Sequence, residues 1–311
     1  MLILQTPRLR LRWFTAADAH FIRRLLNDPG WLANIGERNV RTRRQAEHWI
    51  ATRHTAVYGR LGFGFWAVER IADGAVVGMC GLVKRDSLME VDVGYALLPE
   101  FRGQGYATEA AAACVRYGHE VLGLPEIWGI TNPDNVASGA VLLQLGLRDH
   151  GVTRLVGQEI ESRLFKSPRI EPGDDRAQID ALVRRFFAAF TNRDGAIPTL
   201  AALPHYFMLD ATIRVADALG TVTTTGIHGF IAPRAELLLR GRLRDFEEHE
   251  TEQRTEIAGA IAQRALRYAK RGTLDGQPYA GSGTKMLQFV RTARDWKIAA
   301  LQWTDDLPAN G

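Results

Sequence analysis

The sequence predicts an α/β chain, α+β in its segregation of helices and strands, built as two domains. Three observations carry this. In the first half, short strand patterns alternate with helical ones, and one strand runs through a glycine-rich turn into an Ala-rich helix across residues 94–111. In the middle, Ser167-Pro168-Arg169-Ile170-Glu171-Pro172-Gly173-Asp174-Asp175 is polar and carries two prolines and a glycine, so it reads as an extended linker. In the second half, a helix and short helices give way to long strands that end in a hairpin. The expected division is residues 1–166, a linker over 167–174, and residues 175–311. No internal repeat relates the two halves.

Bulk composition bounds the answer. A chain of 311 residues is comfortable for two domains. Its hydrophobic share of 46% and charged share of 24% let both halves bury a core. A net charge of +4 suits an anionic cofactor but is too diffuse to argue for nucleic acid. Arg38, Arg41, Arg43 and Arg44 form the densest basic patch and read as a solvated helix start. Cys80 falls in an apolar strand and Cys114 in an Ala-rich helix, so both read as small buried apolar residues rather than a disulfide or a metal pair. No metal site is expected. The N-terminus shows no long apolar region or cleavage signature, and no stretch approaches the roughly 20 apolar residues that span a bilayer. The expectation is a reduced, cytoplasmic protein with no membrane partner.

The first half reads in order. Leu9, Leu11 and Trp13 alternate with Arg8, Arg10 and Arg12, giving a half-buried strand. Thr15 with Asp18 starts a helix over 16–26, and Asp28-Pro29-Gly30 is expected to stop it. A second helix is expected over about 42–57, ended by Gly59. Residues 63–70, 75–84 and 88–97 read as strands joined by tight turns. Pro99 ends the last of them because it cannot donate to a ladder. Then come Arg102, Gly103, Gln104, Gly105 and Tyr106, and strong helix formers from Ala107 to about Val121, capped by Gly123. Residues 126–131 form the next strand. Asn132 or Asp134 can cap the helix that follows, and 147–155 and 160–166 would close the sheet.

Two glycines where a helix begins let the backbone turn tightly and approach a ligand closely. The free N–H groups of the first helical turn then point one way, and the helix dipole adds positive potential. That combination is an anion site whose natural guest is a phosphate. It is not a P-loop, for no Gly-Lys-Ser/Thr follows. It is not a G-x-G-x-x-G fingerprint, for Thr108 stands where the third glycine would be. The spacing Arg102, Gly105, Ala107 instead resembles the pyrophosphate loop of the GNAT acetyltransferases, Arg/Gln-x-x-Gly-x-Gly/Ala. The longer run through Gly94-Tyr95, Pro99-Glu100, Gly103 and Thr108-Glu109-Ala110 resembles the branch that acetylates the alanine of ribosomal proteins, with Phe101 where that branch often has Trp. A second stretch, Asn135-Val136-Ala137-Ser138 followed by Leu142 and Leu145-Gly146, stands at the distance the same family places it.

This resemblance implies a GNAT fold with a mixed central sheet over residues 4–166, acetyl-CoA as cosubstrate, and direct attack of a primary amine on the thioester. Implied cofactor contacts are Ala96 and Leu97 at the end of the central strand, Arg102, Gly103, Gln104, Gly105, Tyr106 and Ala107 in the loop, and Asn135 on the pantetheine arm. The family splays two parallel strands at Ala96 and Leu97, and a backbone N–H near Leu97 is the expected donor to the thioester oxygen. Ser138 is implied near the sulfur, where it can hydrogen-bond or protonate the leaving thiolate. For the base, Glu90 and Asp92 share a strand face, and burial could raise the pKa of either toward neutrality; a solvent-facing strand carboxylate, or a water chain as base, are the alternatives.

In the second half, Ile179, Leu182, Val183, Phe186, Phe187 and Phe190 fall at helical spacing across 175–190. A short helix is expected over 197–203, a strand over 207–215 and a helix over 227–239 ended by Gly241. Strands are expected over 246–255 and 258–270, then the hairpin 285–291 with 296–303. With Tyr268, Gly272, Gly276, Gly283, Phe289-Val290, Trp296-Lys297-Ile298 and Trp303, this resembles the cone of the NTF2-like or SnoaL-like fold. The resemblance implies an α+β unit with a pocket inside a curved sheet, lined by His228, His249, Asp210 and Arg214, that binds a ligand or pairs as a homodimer. The leading expectation is thus an N-acetyltransferase acting on a small-molecule or peptide amine. The alternatives are a CoA-responsive binding protein without turnover, and a bifunctional protein whose second domain is a small isomerase or hydrolase.

Overall fold

The computed structural model describes residues 1–157, 159–217 and 220–306, so the last residues of the expected second domain, 307–311, lie outside the described ones. The chain divides into two compact units, Met1–Glu171 and Pro172–Gly311. The segment read as a linker begins tied to the first unit: Ser167 N–H donates to the Ile127 carbonyl and Ile170 N–H to that of Pro125, each at 2.8 Å.

The first unit opens with β1 (Leu2–Gln5), a strand the alternation did not predict, and β2 (Leu9–Arg12). Thr15 and Asp18 form the expected capping box, a 3-10 turn over Ala16–Asp18 follows, and α1 is Ala19–Leu26. Asp28-Pro29-Gly30 does not merely stop α1. Asp28 accepts from Trp31 N–H at 3.1 Å and Pro29 occupies the first helical position, so the triplet starts α2 (Pro29–Asn34). The helical stretch after Thr42 is α3 (Arg43–Ile50), a π turn over Ala51–Thr55 and α4 (Ala56–Leu61). It ends at Gly62 in the left-handed region, φ +77°, rather than at Gly59. Two of the four clustered arginines at this helix start form ion pairs, Arg41 with Glu37 and Arg43 with Glu47. Then come β3 (Phe65–Arg70), β4 (Val76–Lys84), β5 (Val91–Leu97), α5 (Tyr106–Glu120), β6 (Ile127–Thr131), α6 (Val136–Gln144), β7 (Arg148–Arg154) and β8 (Glu161–Lys166).

These strands form one sheet in the order β1-β2-β3-β4-β5-β6-β8-β7. Every neighbouring pair is antiparallel except β5 with β6, so the sheet is mixed. The apolar stripes of α1 and α3 cover one part of it: Phe21, Ile22, Leu25 and Ile50 pack with Phe14, Trp31 and Met79 in one cluster. Each such side chain contributes about 1.5–3 kcal/mol by leaving water. Cys80 on β4 and Cys114 on α5 are buried free thiols, as their apolar settings predict, with sulfurs 3.5 Å apart.

The second unit starts at α7 (Asp175–Ala188), capped by Asp174, which accepts from Ala177 N–H at 2.8 Å. A 3-10 turn over Leu200–Ala202 leads to α8 (Leu203–Tyr206), β9 (Phe207–Ala216), β10 (Val222–Thr225) and α9 (Ile227–Leu239). The strand β10 was not legible in its run of threonines. Four long strands close the unit: β11 (Leu243–Ala258), β12 (Ile261–Leu274), β13 (Gln277–Arg291) and β14 (Trp296–Asp305). The stretch expected as a strand over 258–270 is β12, entered through Gly259 at φ +61°. Sheet order is β10-β9-β14-β13-β12-β11, with only β9 and β14 parallel. Register shifts on β11 between Arg244 and Glu247, and between Glu250 and Glu252, bend the strand as bulges do. On this frame Arg264 is 1% exposed and tied to Asp180, to Glu250 at 3.2 Å and to Thr255 Oγ1 at 2.7 Å.

Candidate active site

The site is made where β5 and β6 part. They pair only at Val91 with Ile127 and Asp92 with Trp128, while β5 stays paired to β4 as far as Leu97. Past Asp92 one edge of β5 is therefore open. Leu98 N–H donates to the Val77 carbonyl on β4 at 3.1 Å, so by strand alternation the amides of Tyr95 and Leu97, past the last pairing with β6, point away from β4 into the gap. A cleft of about 490 Å³ fills this gap. Its walls include Ala96, Leu97, Arg102, Gly103, Ala107, Asn135, Ser138 and Asp92 among the residues the sequence singles out. Gln104, Gly105, Tyr106 and Glu90 are not among its lining side chains.

The loop at the end of the cleft is an anion cradle built from backbone. Arg102 N–H is already committed to the Pro99 carbonyl at 3.2 Å, so the donor run starts one residue later than expected. Among the described residues, none of the amides of Gly103, Gln104, Gly105, Tyr106, Ala107 and Thr108 has a backbone acceptor, and the ladder resumes at Glu109 N–H to Gly105 O, 3.0 Å. Gly103 and Gly105 sit at φ +73° and +78°, conformations that favour glycine. Nothing lies within 4 Å of where a Gly103 Cβ would be, so the space before these amides is open. The residues present thus fit a diphosphate, with the α5 dipole behind them.

Two loop side chains do not face that space. The Arg102 guanidinium turns back, donating to the Leu97 carbonyl at 3.0 Å and to Asp28. Tyr106 is buried beneath the Arg8 guanidinium, 4.7 Å from its ring centroid, so only its amide can serve an anion. Arg8 is a brace that sequence reading did not find. Its Nη1 donates to the Gln104 carbonyl at 3.0 Å and its Nε to Glu109 at 2.6 Å, holding the loop onto α5.

Across the gap, Asn135 rather than Asn132 or Asp134 caps α6: its side-chain oxygen accepts from Ser138 N–H at 3.0 Å. Ser138 Oγ lies 2.9 Å from the Tyr95 hydroxyl, which donates to the Ser138 carbonyl, also at 2.9 Å. The serine hydroxyl therefore donates to the tyrosine oxygen. Burial pushes the Tyr95 phenol up to about 12, so it keeps its proton near neutral pH. Tyr95 entered the sequence reading only within the run Gly94-Tyr95, with no site role, and its contact depends on a residue 43 positions away.

The two candidate bases separate. Asp92 is 1% exposed on the cleft wall and accepts from Arg85 Nε at 2.9 Å. Burial raises its pKa above the ordinary carboxylate value, and Arg85 opposes that. It is not the solvated strand carboxylate that alternation also allowed. Glu90 lies just before β5, away from the cleft lining, and pairs with Arg169 at 3.7 Å. Its place is structural, because the chain that follows β8 brings Arg169 over it. Among the described residues no cluster of His, Cys, Asp or Glu could hold a metal, and no helix is long and apolar enough to cross a membrane.

The architecture is that of a GNAT acetyltransferase, and comparison with known proteins agrees. The acetyltransferase (GNAT) domain family matches residues 8–148. The uncharacterised N-acetyltransferase YoaA of Bacillus subtilis is 31% identical over 153 residues, 49% of this chain and 86% of YoaA. The FsC-acetyl coenzyme A-N(2)-transacetylase of Aspergillus fumigatus is 33% identical over 155 residues, 46% of this chain and 64% of its own length. The crystal structure of the ribosomal-protein-S5-alanine acetyltransferase of Vibrio fischeri is 17% identical, with a TM-score of 0.47 over 54% of this chain and 97% of that one. The chain belongs to the GNAT acetyltransferase family, whose members take acetyl from acetyl-CoA.

Proposed function

We propose that the first unit transfers acetyl from acetyl-CoA to a primary amine, in the manner of the acetyltransferases that modify ribosomal-protein N-termini. The observation that carries this reading is the run of six unpaired amides, Gly103 to Thr108, beside the open edge of β5. The loop amides hold the pyrophosphate. The amides of Tyr95 and Leu97 hold the pantetheine arm and the thioester oxygen, and Asn135 shapes the wall opposite. The bond formed is amine nitrogen to acetyl carbon and the bond broken is carbon to sulfur; of the two protons the ammonium gives up, one ends on sulfur and one passes to solvent. Asp92 takes the proton from the ammonium, directly or through water. Ser138 turns its hydroxyl hydrogen from the Tyr95 oxygen to the thiolate, while Tyr95 stays bonded to the Ser138 carbonyl. Holding the two reactants together supplies much of the rate, so no nucleophilic side chain is needed. The two free buried thiols fit a reducing compartment such as the cytoplasm.

For the second unit, the bent six-stranded sheet with α7 and α9 supports an NTF2-like or SnoaL-like assignment, over residues 175–311 after a linker at 167–174. Homodimerisation through this unit belongs to that proposal, and mass photometry showing only monomer removes it. The catalytic proposal is tested by thiol release from acetyl-CoA over a panel of amines. Ser138→Ala should slow turnover about 100-fold and leave acetyl-CoA binding nearly unchanged. If CoA affinity collapses instead, Ser138 is part of the binding wall; thiol release with no amine in the panel favours the non-catalytic, CoA-responsive alternative.

A further inference from the structure

The second unit contains a cavity of about 230 Å³ between α9 and the sheet, and none of His228, His249, Asp210 or Arg214 lines it. All four are exposed, because their positions on β9, α9 and β11 turn away from the cavity. What lines it is a wall of aromatic rings, among them Phe190, Phe230 and Trp303, interrupted by three cations and one carboxylate: Arg234, Lys270, Lys285 and Glu248. Two of the cations are satisfied from within. Lys285, 5% exposed, donates to Glu248 at 2.6 Å and lies 3.4 Å from the Tyr268 ring centroid. Lys270 donates at 2.8 Å to Asp305, which also accepts from the Tyr268 hydroxyl.

Arg234 is left over. Its guanidinium carbon lies 3.7 Å above the Phe230 ring and 5.3 Å from that of Trp303, and its Nη1 donates to the Phe230 carbonyl at 2.8 Å. Among the described residues it forms no ion pair with a carboxylate. With Nη1 taken by the Phe230 carbonyl, the Nε–Nη2 edge has no partner among the described residues, and such an edge matches a carboxylate in two parallel hydrogen bonds. Glu248 and Asp305 act on Arg234 only from beyond ion-pair distance, and taking a cation out of water beside apolar rings with no carboxylate in contact is costly, so a fold keeps such an arrangement where a ligand supplies the contact. Burial lowers the Arg234 pKa to about 10, which still leaves it cationic at neutral pH.

We propose that this cavity binds a small organic anion, a carboxylate on a flat apolar body of about one ring, with Arg234 gripping the carboxylate and Phe190, Phe230 and Trp303 enclosing the ring. The size argument is direct. Pockets for drug-sized ligands run to about 300–1,000 Å³, and a dry cavity of about 150 Å³ takes benzene, so this one suits a single ring plus a charged group. The cation excess among the lining residues selects an anion over a neutral or cationic analogue. The site lies wholly in the second unit and does not depend on the acetyl-transfer reading.

The test uses the full chain and three single-ring probes, benzoate, benzamide and benzylammonium, with titration calorimetry as the readout. Benzoate should bind at least ten-fold more tightly than either of the other two. Arg234→Gln should lose at least ten-fold of the benzoate affinity while its thermal midpoint stays level or rises, since it removes an uncompensated charge. Arg234→Met, which suits the same apolar wall, should show the same loss and covers the case in which the Gln variant misfolds. Equal binding of benzoate and benzamide, a preference for benzylammonium, no benzoate binding at millimolar concentration, or unchanged benzoate affinity in a folded Arg234 variant would each overturn the proposal.

Discussion

At the Tyr95–Ser138 pair, two hydroxyls lie 2.9 Å apart, so under the proposed mechanism their substitutions should not add. Tyr95→Phe should slow acetyl transfer about ten-fold, and the Tyr95→Phe, Ser138→Ala double variant should be little slower than Ser138→Ala alone; steady-state kcat values check this. Asp92 makes a pH statement. Burial raises its pKa, so as a base it becomes competent only as pH rises through that raised value. An acidic limb in kcat/KM lying above the usual carboxylate range should therefore vanish in Asp92→Asn, along with most of the activity. His54 makes a stability statement of the opposite kind. It is 2% exposed among Phe14, Trp49, Tyr58 and Phe65, and burial lowers its pKa from 6.5 to about 4. The fold favours the neutral ring, so stability present above pH 6.5 is lost as pH falls toward 4. That loss is on the order of 3 kcal/mol, and denaturant midpoints of His54→Phe should lack it across the same window.

Among the elements, the loop before α5 depends on a brace from β2's leading edge. Arg8→Ala removes the bonds to Gln104 and Glu109, and should raise the KM for acetyl-CoA several-fold with kcat little changed. Gly105→Ala puts a side chain at φ +78° and a Cβ 3.3 Å from the Arg8 guanidinium, so calorimetry with CoA should show a larger loss than at Arg8. Much of this element was legible locally. Glycine spacing and helix formers are properties of adjacent residues, and they place the turn and α5 within a residue or two. Caps were harder. Asn132, Asp134 and Asn135 can each cap a helix, and the choice falls to Asn135 because the way the chain leaves β6 decides where the first turn closes. Asp28-Pro29-Gly30 misled for a related reason, since the residues that end one helix are also those that begin the next.

On the scale of the whole molecule, the second unit is pinned by one buried cation. Arg264 on β12 reaches α7 through Asp180 and β11 through Glu250 and Thr255. Arg264→Ala strands two carboxylates and should destabilise this unit by about 3–5 kcal/mol, seen as an earlier loss of Trp296 and Trp303 signal in denaturant, while acetyl-CoA binding by the first unit persists. Residue order alone carried a strand–glycine turn–helix and a mixed α/β half followed by a strand-rich half, because each rests on periodicity and turn chemistry among near neighbours; the likeness to the GNAT family came from its motif residues. Only the folded chain decided that Asp92 and not Glu90 faces the cleft, that Tyr95 meets Ser138, and that Arg234 rather than the histidines lines the second cavity. Those are questions of which side chains meet across gaps of tens of residues, and charge pairing and burial settle them only once the sheets are assembled.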